Sequence, residues 1–224
     1  MKSLLRRALA APIKRVAIRV AERVEAWRRD ALPEFANSPR NLTIELPRTI
    51  CLPQRITIGD DVWLGPGCLL CPIPHFPSLP FWPRDREATF EQRFDPKIVI
   101  GHRVVATGHL TLGAHQEIRI EDDVMFAANV HLTDALHGFE HADEPYKYQA
   151  MFRIAPIVIK RGCWIGQNVV ILPGVTIGEL SIIGANSVVT RDIPARSIAV
   201  GAPARVIKTW DASTRRWVAV SAPR

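Results

Sequence analysis

From Ile159 to Val189 an aliphatic residue returns at every sixth position, at Ile159, Ile165, Ile171, Ile177, Ile183 and Val189. A strand alternates with period 2 and a helix with period 3.6, so neither explains a strict period of six with glycine following the aliphatic at Gly166, Gly178 and Gly184. A short repeat of this kind predicts a solenoid in which each hexapeptide is one short strand and a turn. The fifth position of each unit is small or β-branched, as in Val169, Val175, Ser181 and Ser187, and fits a second, narrower inward site.

The same phase runs upstream with interruptions. Ile58, Leu64 and Leu70 keep step, and so do Ile100, Ala106, Leu112 and Ile118; a slip of two residues then restarts the register at Ile120, Phe126 and Leu132. Segments 71–97 and 133–156 fall outside the repeat and are too long for corner turns, which predicts two loops extruded from the coil. Long loops on a rigid scaffold are usually functional. The expected organisation is a basic helix over 1–30, a lead-in over 31–57, the β-helix over 58–208 and a tail over 209–224.

Charge changes the picture at one end. The first thirty residues carry nine basic and three acidic side chains, a net +6 of the formal +7. Leu9, Ile13, Val16, Val20, Val24 and Trp27 recur at intervals of three and four, so this segment reads as a helix with an apolar stripe in a basic surround. Two occupants suit the stripe: an anionic membrane surface, or the solenoid or a neighbouring subunit. No aromatic or glycine-rich motif accompanies the charge, which argues against nucleic acid. No apolar run reaches the length of a membrane span. The four cysteines, Cys51, Cys68, Cys71 and Cys163, lack framework spacing and no signal peptide precedes them, so buried or incidental thiols in a reducing cytoplasm are expected.

The stretch WIGQNVVILPGVTIG (164–178), followed by IIGANSVVTRDIPARSIAVGAPARVIK (182–208), closely resembles the C-terminal coils of hexapeptide-repeat acetyltransferases. That group includes the maltose and galactoside acetyltransferases and the O-acetyltransferases of lipopolysaccharide and capsule synthesis. The resemblance covers about 58–210. It implies an all-β solenoid that is a left-handed parallel β-helix, against the usual handedness of crossovers, with three hexapeptides per turn. It further implies a homotrimer with acetyl-CoA in a groove between neighbouring solenoids, and a cytoplasmic enzyme, with the inner membrane face open to the N-terminal helix.

Acetyl transfer to a hydroxyl needs a base, and histidine suits that role near neutrality. The family's catalytic histidine follows an APGVxI-like hexapeptide at the start of a loop; AANVHLTDALHGF (127–139) stands there, and the aligned residue is His137. Asp134 is the candidate to orient its imidazole as a third group does, or else a turn-capping aspartate. Trp164 matches a tryptophan beside the family's active site. His141 lies further into the loop where a sugar would approach. For acetyl-CoA, the resemblance points to Gln167, Ala185, Thr190 and Arg191 along the groove, and to Arg205 and Lys208 for the nucleotide phosphates. Three departures concern the acceptor: the asparagine of some members is replaced by Thr107 or His109, the loop motif HP reads HG, and the insert 71–97, with six prolines and five aromatics, is additional.

The expected function is acetyl-CoA-dependent O-acetylation of a sugar in surface polysaccharide synthesis. N-acetylation of a nucleotide-linked amino sugar is the enzymatic alternative. A zinc enzyme of the γ-carbonic anhydrase kind shares the solenoid, but the H-x-x-x-x-H pair is missing, and His137 and His141 have three residues between them. No metal is expected. A non-catalytic scaffold would not need a histidine and a tryptophan beside a donor groove.

Overall fold

In the computed structural model, residues 15–24, 26–27, 31–77 and 90–220 are described. The chain divides into two units, Met1–Pro33 and Glu34–Arg224. The first contains a helix over 15–24, with 26–27 also helical. Val16, Val20, Val24 and Trp27 are all exposed, and they share one face because they stand four, four and three residues apart. The stripe positions Leu9 and Ile13 lie outside the described residues.

The second unit is the solenoid, a left-handed parallel β-helix whose coils form a prism with three faces. The first face stacks Thr43–Ile44, Trp63–Leu64, Val105–Ala106, Met125–Phe126, Trp164–Ile165, Ile182–Ile183 and Ser197–Gly201. The second stacks Arg48–Ile50, Cys68–Pro72, Thr111–Ala114, His131–Thr133, Val170–Ile171 and Val188–Val189, and the third Ile56–Ile58, Lys97–Ile100, Glu117–Ile120, Ile157–Ile159 and Thr176–Ile177. Every pairing between successive coils is parallel and in register, so the sixfold period becomes three inward columns. Leu70, Leu112, Leu132, Ile171 and Val189 form the column of the second face, each sealed from solvent. Burying such a side chain stabilises by about 1.5–3 kcal/mol. The narrower inward site is equally real: Val62, Val104, Val124, Val169, Val175, Ser181 and Ser187 are buried. The two serines satisfy themselves, Ser181 donating to the Pro194 carbonyl at 2.8 Å and Ser187 to the Gly184 carbonyl at 2.7 Å.

Two boundaries differ from the sequence expectation. The coil starts within the supposed lead-in, since Thr43–Ile44 pairs with Trp63–Leu64 and Arg48–Ile50 with Cys68–Pro72. Only two- and three-residue strands are needed for a coil, too short to show a period. The supposed tail is also structured: Ala204–Asp211 turns back antiparallel on Ser197–Gly201 and pairs with Arg216–Ala219, extending the first face.

The interruptions share one corner. The first insert leaves after Cys68–Pro72 and returns at Lys97–Ile100; the second leaves after His131–Thr133 and returns at Ile157–Ile159. The two-residue slip falls between Thr111–Ala114 and Glu117–Ile120. All three lie on the edge between the second and third faces, in three successive coils. The other two edges turn without insertions, using positive-φ residues such as Gly67, His109, Asn129, Asn168 and Asn186 between the first and second faces.

Glycine is required where coils approach most closely. A Cβ on Gly178 would stand 2.3 Å from the Ala195 nitrogen and 2.6 Å from its Cα, both backbone, whereas one on Gly113 would meet only the Thr133 hydroxyl at 3.9 Å. Gly178→Ala is therefore expected to cost about 3 kcal/mol, at the upper end for overpacking, and Gly113→Ala little. Equal melting temperatures for the two variants would contradict this packing.

Candidate active site

The irregular edge gathers the chemistry. His137 ends the short strand Leu136–His137, which pairs antiparallel with Met151–Phe152 so that His137 faces Met151. The second loop is thus a hairpin. The first insert folds onto it: His75–Phe76 pairs with Gln92–Arg93, and the Gln92 side-chain amide clasps the Met151 backbone, accepting from its N–H at 2.6 Å and donating to its carbonyl at 3.2 Å. Phe76, Ala135 and Met151 form a small core, with Phe90, Phe94 and Ile154 against it. The insert's described aromatics are therefore packing residues; Phe81 and Trp82 lie outside the described residues.

Phe76 meets the His137 ring edge-on, centroids 5.4 Å apart, and the residue remains exposed on its other side. Burial, and secondarily the charge of nearby His115, hold the His137 imidazole below its ordinary proton affinity. The shift favours the neutral ring, the state a general base needs.

Asp134 does not orient His137. Its carboxylate is fully buried and accepts the backbone N–H groups of His115 at 2.6 Å and Gln116 at 2.7 Å. These two donors belong to the slipped corner, which adds two residues between Leu112 and Ile120 and frees them from the ladder. A carboxylate with both oxygens so engaged is committed to the corner. His115, buried beside it, has Nδ1 3.5 Å from Asp134 Oδ1 with no hydrogen-bond partner among the described residues, and its ring meets Phe94 edge-on at 5.2 Å. Sequence reasoning passed over His115; the register slip at that point was its only signal.

The remaining candidates fall into three places. His141 sits in the hairpin loop, tied by its backbone to the Gln149 amide, which donates to the His141 carbonyl at 2.7 Å. With Gly138, Glu140, Glu144, Tyr148 and Phe152 it lines a cavity of about 410 Å³, whose wall includes the chain neighbour and the strand partner of His137, Gly138 and Met151, but not His137 itself. A larger space of about 490 Å³ contains Asp60, His102, Glu121 and Arg161 but none of the predicted site residues. Its charges are engaged, Glu121 with Lys160 at 2.8 Å for example, so the smaller cavity is the better candidate.

Trp164, Gln167, Ala185 and Arg205 climb the edge between the first and second faces. Trp164 is exposed and stacks above Met125 and below Ile182. Gln167 and Ala185 occupy the same corner of successive coils, where Gly166 approaches the Ala185 backbone. Arg205 stands opposite Val200, which lies over Gly184. Lys208, opposite Ile198, continues this hairpin. His109 is on the same edge, but as its left-handed corner residue, with the ring against Gly67. Thr190 and Arg191, by contrast, follow Val188–Val189 and stand on the edge of His137. A single chain thus places His137, Thr190 and Arg191 on one edge and Trp164, Gln167, Ala185 and Arg205 on another.

Comparison with known proteins agrees with the coil. Residues 156–191 match the family described as bacterial transferase hexapeptide (six repeats). The chain is 43% identical over 115 residues to the galactoside O-acetyltransferase of Escherichia coli (strain K12), covering 51% of this chain and 55% of that protein. It is 32% identical over 127 residues to the "Putative lipopolysaccharide biosynthesis O-acetyl transferase WbbJ" of the same organism, covering 54% of this chain and 64% of that protein. The chain therefore spans between half and two thirds of the length of these relatives. A crystal structure of a variant of AntD, an N-acyltransferase from Bacillus cereus, superposes with a TM-score of 0.62 at 23% identity, covering 78% of this chain and 84% of that one, and shares the fold. By its repeat, its coil and these matches, the chain carries hexapeptide repeats similar to those of bacterial transferases.

Proposed function

We propose that this protein is an acetyl-CoA-dependent O-acetyltransferase acting on a sugar hydroxyl, with His137 as general base. The observation that carries the reading is an exposed histidine packed edge-on against Phe76, whose chain neighbour Gly138 and strand partner Met151 line a cavity, on coils similar to those of galactoside and lipopolysaccharide acetyltransferases. In the step, Nε2 or Nδ1 of His137 takes the hydroxyl proton as the oxygen attacks the thioester carbonyl; the proton then passes to the departing CoA sulfur. Phe152 offers an aromatic surface for a sugar ring, and Glu140 and His141 offer polar partners.

The division of residues between two edges supports a shared site. In a closed threefold arrangement, the edge bearing Trp164, Gln167, Ala185 and Arg205 of one subunit lies beside the edge bearing His137, Thr190 and Arg191 of the next. Arg205 and Lys208 then serve the nucleotide phosphates of acetyl-CoA. The test is CoA release from acetyl-CoA across a panel of sugars, polysaccharide precursors and nucleotide-linked amino sugars. Acetylation confined to an amine would replace the hydroxyl acceptor with the N-acetyl alternative, and no turnover with any acceptor would sink the proposal.

The N-terminal helix fits peripheral contact with an anionic inner membrane face. No helix among the described residues is long and apolar enough to cross a membrane, while Arg15, Arg19 and Arg23 flank the exposed Val16–Val20–Val24–Trp27 stripe. Each basic residue near anionic lipid contributes about 1 kcal/mol. The full chain should sediment with phosphatidylglycerol vesicles, and less at high salt; a chain lacking residues 1–30 that sediments equally well would assign the stripe to protein packing.

A further inference from the structure

The cysteines are not all incidental. Cys68 and Cys71 form a C-x-x-C in sequence, but residues three apart on a strand point to opposite faces. Cys68 points inward and donates its thiol to the Gly65 carbonyl at 3.0 Å; Cys163, also buried, donates to the Gly178 carbonyl at 3.1 Å. Cys71 instead meets a residue from the preceding coil. Ile50 stands opposite Leu70 in the parallel pairing, and the Cys51 N–H donates to the Leu70 carbonyl at 2.9 Å, which fixes Cys51 against Cys71. Their sulfurs are 2.8 Å apart, and both residues are only half-buried.

Adjacent strands hold such partners about 4.8 Å apart at the backbone, inside the range of about 4.4–6.8 Å that a disulfide bridges. We propose that Cys51 and Cys71 are a redox modification site, forming a reversible disulfide between coils when the protein meets a small disulfide such as oxidised glutathione. A Cys51 thiolate attacks one glutathione sulfur, giving a mixed disulfide and releasing one glutathione thiolate. Cys71 then loses its proton to that base and attacks the Cys51 sulfur, releasing the second glutathione. Two protein thiols are oxidised to one disulfide, and one glutathione disulfide is reduced to two thiols.

The order follows from environment. Burial and the adjacent Cys51 sulfur push the Cys71 thiol up to about 12, so it does not begin the exchange, and its own attack depends on being held in contact. Burial also pushes up Cys68, and Cys163 to about 11, so the two interior thiols stay out of the reaction. The location gives the bond a target: Cys68–Pro72 launches the insert that carries Phe76 to His137, and the disulfide pins the root of that insert.

The experiment exposes the full chain to excess oxidised glutathione, alkylates remaining thiols and maps peptides without reduction. The expected product is a Cys51–Cys71 linked peptide within one chain, reversed by dithiothreitol, with Cys68 and Cys163 alkylated only after unfolding. Cys71→Ser should stop at glutathione on Cys51, and Cys51→Ser should leave Cys71 unmodified. Glutathione remaining on Cys51 of the unsubstituted chain, a link through Cys68 or Cys163, a link between chains, or Cys51 and Cys71 both still alkylated would each overturn the proposal.

Discussion

Replacing His137 with alanine is expected to lower kcat for acetyl transfer by about 10²–10⁴-fold, the usual contribution of a positioned general base. Binding of CoA should be unchanged, because the donor candidates Gln167, Ala185 and Arg205 lie on a different edge from His137, and Thr190 and Arg191, on its own edge, stand two coils further along. The variant should also fold, since His137 is exposed and its ring contact among the described residues is edge-on with Phe76. The unsubstituted protein adds a pH signature. Burial and the His115 charge lower the proton affinity of His137, so the acid limb of kcat/KM should fall below the ordinary histidine value of about 6.5. Below that limb the ring is protonated and no longer a base; above it activity is flat. A limb at or above that value, or full activity in His137→Ala, would remove His137 from the chemistry.

Much of the fold is legible because the repeat writes it directly. Each inward column of aliphatics is one residue type returning at a fixed interval, and parallel in-register stacking turns that interval into a core. The ends were less legible because a coil of two- and three-residue strands, such as Thr43–Ile44 and Arg48–Ile50, carries too few positions to display a period. The same arithmetic hides the tail hairpin, whose strands are mostly exposed and so lack an inward alternation.

The site was half legible. The breaks after Leu70, Leu112 and Leu132 appear in sequence as three separate irregularities. Only stacking reveals that these three leucines occupy one column of the second face, so that every break opens on the same edge. That coincidence brings Phe76 to His137 and Phe94 to His115. It also explains why the sequence leaves Asp134 between an orienting group and a turn-capping aspartate. Three residues before a candidate general-base histidine, an aspartate suggests a triad, but spacing along a chain does not tell which way a buried carboxylate turns. The nearest unpaired donors, the His115 and Gln116 amides of the slipped corner, decided its direction.

Asp134→Ala is accordingly expected to destabilise the protein rather than to disable the base selectively. Removing the carboxylate leaves the buried His115 amide without an acceptor, at about 1–3 kcal/mol, and takes the acceptor from the amide of exposed Gln116, where water makes up part of the loss. A total of about 1–4 kcal/mol corresponds to a fall in Tm on the order of 3–15 °C for a chain of this size. Asp134→Asn keeps one acceptor oxygen but turns an NH₂ group toward the other amide, so it should fall between. The two readings of Asp134 then separate cleanly. An aspartate that orients a catalytic imidazole loses up to about 10⁴-fold in kcat on conversion to asparagine with its surroundings intact. Here the loss of activity in Asp134→Asn should track the fraction unfolded, and the surviving folded protein should retain the acid limb of His137. An unchanged Tm combined with a collapsed kcat would return Asp134 to the role of orienting group, and would require the loop to turn its carboxylate away from the His115 corner during catalysis.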